Sequence, residues 1–199
     1  MDAFLVSTVA VALAEIGDKT QLLSFVLSAR LRSPGAIIAG ILLATLANHA
    51  LAGSVGVWVA ELVGPLAMRW IVGLAFIGFG LWALVPDTLE TDPRPHAAGA
   101  FVTTLIAFFF VEMGDKTQLA TVALAARYQA LAAVVLGTTL GMLIANVPAV
   151  LLGEALADRL PMRALRWGAA ALFVALGLAT LAGVAAPAGA PAARGLVAG

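Results

Sequence analysis

Residues 15–30 read EIGDKTQLLSFVLSAR and residues 112–127 read EMGDKTQLATVALAAR, with ten of the sixteen positions identical at an offset of 97. The same offset pairs Phe4 with Phe101, Gly40 with Gly137, and Arg69-Trp70 with Arg166-Trp167. One ungapped register therefore runs from the first apolar segment to the third, and the chain is a duplication. Whatever one half folds into, the other must fold into as well.

The solvent for that fold follows from composition. The 199 residues are 62% hydrophobic and 11% charged, with a mean hydropathy of +1.05. A soluble domain carries about 25% charged residues to cover its surface. This chain has too few, and lipid is the surrounding that its surface requires. Net charge is zero, with no basic or acidic run, so nucleic acid is not an expected partner. The absence of cysteine excludes disulfides and thiolate metal sites.

Crossing about 30 Å of hydrocarbon takes roughly 20 helical residues. Six segments are long enough, at about 3–29, 35–60, 69–86, 98–126, 131–156 and 166–184. No basic residue precedes Lys19, so the first segment reads as a retained membrane helix rather than a secretory signal. The gaps hold most of the remaining charge: Arg30, Arg32, Ser33 and Pro34; Gly64, Pro65 and Arg69; the longest loop, Asp87 to His96; Arg127 and Tyr128; and Asp158 to Arg166. Trp58, Trp70, Trp82 and Trp167 fall near segment ends, where an amphipathic ring favours the headgroup boundary. The expected organisation is a first three-helix unit over 1–92, a second over 93–184, and a disordered Ala/Gly/Pro tail over 185–199.

Three crossings per unit is odd, so the second copy enters the bilayer from the opposite side. The expected architecture is all-α, six transmembrane helices as a 3+3 inverted-topology repeat. Arg30, Arg32, Arg94, Arg159, Arg163 and Arg166 then share one side, against Arg69, Arg127 and Arg194 on the other. The richer side is expected in the cytoplasm, which puts both termini outside it.

Glu15, Asp18 and Lys19, repeated as Glu112, Asp115 and Lys116, sit midway along their segments. Charges at membrane depth cost several kcal/mol and usually face a partner or a water-filled cavity. A simple Glu–Lys pair at i, i+4 would need only one acid per lysine, yet each motif has two. Each copy is thus net −1 and the two together −2. Inverted symmetry brings both to the midplane, where either a divalent cation or two protons neutralises the surplus. Competition between those occupants is the minimum requirement for cation/proton exchange.

Glu15 and Asp18, three apart, are expected on one helix face, with the Gln21 amide oxygen continuing the stripe. Gly17 and Gly114 weaken the helix and can expose carbonyls, and the length of each motif segment allows tilt or a local break. Ligands expected from these motifs are all oxygens, which suits calcium, magnesium or manganese. Lys19 and Lys116 are either internal counter-ions or anchors that reach the membrane boundary. Thr20, Thr117, Gln21 and Gln118 are expected to orient the acids or give one ligand each. Asn48, His49 and Asn146 form interhelical hydrogen bonds or line the ion path; the register pairs His49 with Asn146. Glu61 and Glu154 lie near segment ends, and Gly73, Gly78 and Gly80 are expected to permit close helix packing.

The doubled Glu-x-Gly-Asp-Lys-Thr motif, at one place in each of two three-helix halves, resembles the Gdt family of membrane cation exchangers over about residues 1–184. Such proteins are similar to calcium and manganese transporters of the eukaryotic Golgi and to bacterial manganese exporters. The resemblance implies exchange of Mn²⁺ or Ca²⁺ for protons, no bound cofactor, and an ion site made by Glu15, Asp18, Glu112 and Asp115. The short central loop looks like the bacterial form, which implies the plasma membrane. Two other classes compete. An intramembrane lipid-phosphate hydrolase needs cations converging on phosphate, whereas the arginines here fall at segment ends; an exporter of small organic solutes would need only mutually paired Glu and Lys.

Overall fold

The computed structural model describes residues 1–86, 96–152 and 161–183. Eight helices lie among them: α1 (Asp2–Glu15), α2 (Lys19–Leu31), α3 (Pro34–Val63), α4 (Pro65–Ala83), α5 (Ala100–Glu112), α6 (Lys116–Tyr128), α7 (Leu131–Leu152) and α8 (Met162–Leu181). No strand occurs among the described residues. Helices α6, α7 and α8 each begin 97 residues after α2, α3 and α4, so the sequence register is also the register of the fold. The central loop around 87–95, Glu154, Asp158, Arg159, and the expected tail over 185–199 fall outside the described residues.

Helices α3, α4, α7 and α8 are long and apolar enough to cross a membrane. The first and fourth apolar segments are each split in two, into α1/α2 and α5/α6. Those four pieces have 14, 13, 13 and 13 residues, about 20 Å apiece at 1.5 Å per residue, short of a membrane's apolar thickness. Helices α4 and α8 start at Pro65 and Met162, four residues earlier than the hydropathy pattern suggests. Pro65 fits the first helical turn because its missing N–H would be unbonded there anyway.

Polarity is arranged inside out. Leu66, Leu151, Trp58 and Trp167 are well exposed, whereas Ser7, Thr20, Ser24, Asn48, His49, Thr121 and Asn146 are buried. All four tryptophans are at least partly exposed near helix ends. Lipid tails give apolar side chains no reason to hide, so close contact between helices rests on small residues and polar bonds.

Glycine supplies the closest contacts, and they repeat. A methyl group at Gly137 of α7 would sit 2.5 Å from the Phe4 carbonyl and 3.1 Å from the Ser7 Cβ of α1. At Gly40 of α3 it would sit 2.9 Å from the Phe101 carbonyl and 2.8 Å from the Thr104 Cβ of α5. Each residue in one set is the 97-residue counterpart of one in the other. Helices α4 and α8 meet through Gly73, Gly80 and Gly177, beside a stacked Phe76–Phe173 pair with centroids 6.2 Å apart. Gly78 departs from expectation: nothing lies within 4 Å of its would-be Cβ, so it takes no part in packing.

Candidate functional site

Both motif breaks have the same backbone. After α1 ends at Glu15, Ile16 is extended, Gly17 has φ +86° and Asp18 is extended at the start of α2. After α5, Met113, Gly114 (φ +76°) and Asp115 repeat this. Left-handed backbone is costly for residues with a Cβ, which accounts for glycine at these two positions. The break exposes the carbonyl end of one half-helix and the amide end of the next, with opposite partial charges at one depth.

The glutamines close each break. Gly17 N–H donates to Gln21 Oε1 at 2.8 Å, and Gly114 N–H to Gln118 Oε1 at 2.6 Å. Gln21 Nε2 donates to the Ala145 carbonyl of α7 at 3.0 Å, and Gln118 Nε2 to Asn48 Oδ1 of α3 at 2.7 Å. These amide oxygens are therefore engaged with the backbone, which corrects the expectation that Gln21 extends an acid stripe. Glu15 and Asp18 likewise do not share a helix face, because the left-handed turn at Gly17 stops the helix between them.

Three of the four acids nevertheless converge, and Asp18 is not among them. One carboxylate oxygen from each of Glu15, Glu112 and Asp115 lies within 4.8 Å of the other two, and all three side chains are buried. Thr20 Oγ1 donates to Glu15 Oε2, and Thr117 Oγ1 to Glu112 Oε1. Glu15 Oε1, Glu112 Oε2 and Asp115 Oδ2 are buried without a hydrogen-bond partner. The lysines cross over: Lys19 Nζ lies 3.0 Å from Asp115 Oδ1, and Lys116 Nζ lies 3.4 Å from Asp18 Oδ1. Each motif's lysine thus pairs with the other motif's aspartate.

His49 of α3 and Asn146 of α7 approach the same cluster. Asn146 Nδ2 comes within 3.5 Å of Glu15 Oε2 and donates to the Met142 carbonyl at 3.0 Å, while its Oδ1 accepts from Ser24 Oγ at 2.8 Å. Asn48 Nδ2 donates to the Phe109 carbonyl at 3.3 Å. His49 Nε2 lies 3.7 Å from Glu112 Oε1, and its Nδ1 lies 2.9 Å from Thr138 Oγ1. The register pairs His49 with Asn146, and each approaches the glutamate of the opposite half. Ser24 and Thr138 were not singled out from sequence; a lone hydroxyl in an apolar run gives little signal. Arg127 is directed away, donating to the Leu176 carbonyl and Thr180 Oγ1 of α8 at 2.9 and 2.7 Å, and Glu61 is exposed near the end of α3.

Two stretches, residues 3–91 and 100–187, match the family model described as "Divalent cation/proton antiporter GDT1". The chain belongs to the GDT1 family. A Vibrio cholerae protein with the printed name "Putative manganese exporter" is 50% identical over 181 residues, covering 90% of each chain. GDT1-like protein 5 of Arabidopsis thaliana is 29% identical, covering 85% of this chain and 90% of its own. GDT1-like protein 4 of the same plant is 28% identical, covering 83% and 89%. No solved structure matches the chain. The GDT1 family consists of transporters, so this member is a multi-pass membrane antiporter of divalent cations and protons rather than a lipid-phosphate hydrolase.

Proposed function

We propose that this GDT1 member exports Mn²⁺ in exchange for protons, with Ca²⁺ as a second cargo, through a single site shared by Glu15, Asp18, Glu112 and Asp115. The observation that carries this reading is the cluster of buried oxygens from Glu15, Glu112 and Asp115, one from each within 4.8 Å of the others. Glu15 Oε1, Glu112 Oε2 and Asp115 Oδ2 are buried with no hydrogen-bond partner, and carboxylates that close together need protons or a cation between them. The manganese assignment draws on the name of the Vibrio cholerae relative.

In this reading α1 with α2, and α5 with α6, each make one broken crossing, so the chain forms six spans as a 3+3 inverted repeat over 1–92 and 93–184. The reciprocal contacts of Gly40 and Gly137 support it, because two inverted copies exchange such contacts. The two family-model matches over 3–91 and 100–187 support the division. Alternating access follows from rocking one half against the other about the broken helices. Counting arginines by side puts both termini outside the cytoplasm, in the plasma membrane (the inner membrane of a Gram-negative cell).

With four acids and two lysines the empty site is net −2. One M²⁺ or two protons then leaves it neutral, so exchange at 1:2 moves no net charge. In proteoliposomes, an outward proton gradient should drive Mn²⁺ uptake at a rate unchanged by a potassium–valinomycin potential. Uptake undiminished in both Glu15→Gln and Glu112→Gln would remove the assignment.

A further inference from the structure

Over the two glutamates the site departs from two-fold symmetry. Asn146 stands over Glu15, and its counterpart His49 stands over Glu112. The hydrogen bonds around His49 decide which ring nitrogen carries the proton. Thr138 Oγ1 donates to the Val135 carbonyl at 3.1 Å, and a hydroxyl has one hydrogen. With that hydrogen given to Val135, the oxygen accepts from His49, so Nδ1 bears the proton and Nε2 keeps its lone pair. The ring is fully buried, and Nε2 has no hydrogen-bond partner. It faces Glu112 Oε1 at 3.7 Å, too far for a hydrogen bond. Two donors about 2.1 Å from one ion lie roughly 3–4 Å apart, so the gap fits a cation shared by His49 and Glu112. Glu112 also belongs to the cluster with Glu15 and Asp115, whereas His49 itself lies outside that three-acid cluster.

The geometry points to His49 Nε2 as a nitrogen ligand to the transported ion, and as the residue that selects a first-row transition dication over an alkaline-earth one. The inference rests on the shared acid site proposed above. Imidazole adds affinity for first-row transition dications, least for Mn²⁺ among them, whereas Ca²⁺ and Mg²⁺ draw theirs from oxygen. The neighbouring acids are common to both halves and leave either ion acceptable. His49 is the element that makes them unequal, and Thr138 is a positioning residue that fixes its tautomer.

The test uses the purified full chain with Mn²⁺ and a His49→Asn variant, which copies the residue already accommodated at position 146. Electron spin-echo modulation of bound Mn²⁺ should carry imidazole nitrogen frequencies that shift on ¹⁵N-histidine labelling and vanish in His49→Asn. The chain has two histidines, so the variant assigns the signal. In competition transport, His49→Asn should retain Ca²⁺ movement while its Mn²⁺-over-Ca²⁺ preference falls about tenfold or more, the scale on which losing even an outer metal partner acts. Bound Mn²⁺ without nitrogen modulation, or equal loss of both ions in His49→Asn, overturns the role of His49. A Mn²⁺ signal that survives both Glu15→Gln and Glu112→Gln instead overturns the acid site, and His49 falls with it.

Discussion

Lys19 pairs with Asp115, 3.0 Å away across the two halves, and not with Glu15, four residues before it on its own chain segment. The reciprocal pair, Lys116 with Asp18 at 3.4 Å, is more enclosed, its lysine side chain 7% exposed against 24% for Lys19. These crossed pairs tie one broken helix to the other.

Breaking one crossed pair strands a buried charge. Lys116→Met should therefore lower stability by about 3–5 kcal/mol, the range for removing one partner of a buried ion pair, and Lys19→Met by less. Adding Asp18→Asn to Lys116→Met should recover part of the loss. Thermal unfolding of the four proteins in detergent, read as a double-mutant cycle, checks the coupling.

Gly114 has open space where a Cβ would go, whereas Gly17 faces the Met162 side chain. Gly114→Ala therefore isolates the cost of left-handed backbone, about 1–2 kcal/mol, and should also slow transport by disturbing the break. Gly78→Ala, in an open helical position, should leave both unchanged or raise stability slightly. Unfolding midpoints and initial uptake rates of the two variants make the comparison.

Arg32 and Gln129 are 97 residues apart, both exposed, and both end a helix in left-handed conformation, with φ of 48° and 50°. The proposed inverted insertion would place them on opposite membrane faces. The chain has no cysteine, so Arg32→Cys and Gln129→Cys can be labelled one at a time. An impermeant maleimide applied to whole cells should react with Gln129→Cys and spare Arg32→Cys.

Much of this was legible in the sequence, and for a physical reason. Duplication carries over residue by residue, so an offset of 97 in the letters became an offset of 97 in the helix starts and in the Gly40 and Gly137 contacts. An excess of acid over lysine at membrane depth also pointed to convergence, since an isolated surplus would be unstable there. Spacing misled where the backbone left the helix. Glu15 and Asp18 suit one face only if Gly17 is helical, and its positive φ is set by the glutamine bond across the break. The crossed lysines and the Nε2 face of His49 are products of tertiary packing; no spacing within one segment encodes which half a side chain reaches. Among the described residues, eight helices in place of six segments follow from the same two breaks.

The shared site makes a sharp demand on stoichiometry. Equilibrium Mn²⁺ binding to the purified chain, followed by the loss of free-ion resonance, should give one ion per chain. Glu15→Gln alone and Glu112→Gln alone should each abolish that binding, because both glutamates serve the same ion. Two ions per chain, or one glutamate variant that still binds a full equivalent at unchanged affinity, would contradict a common site.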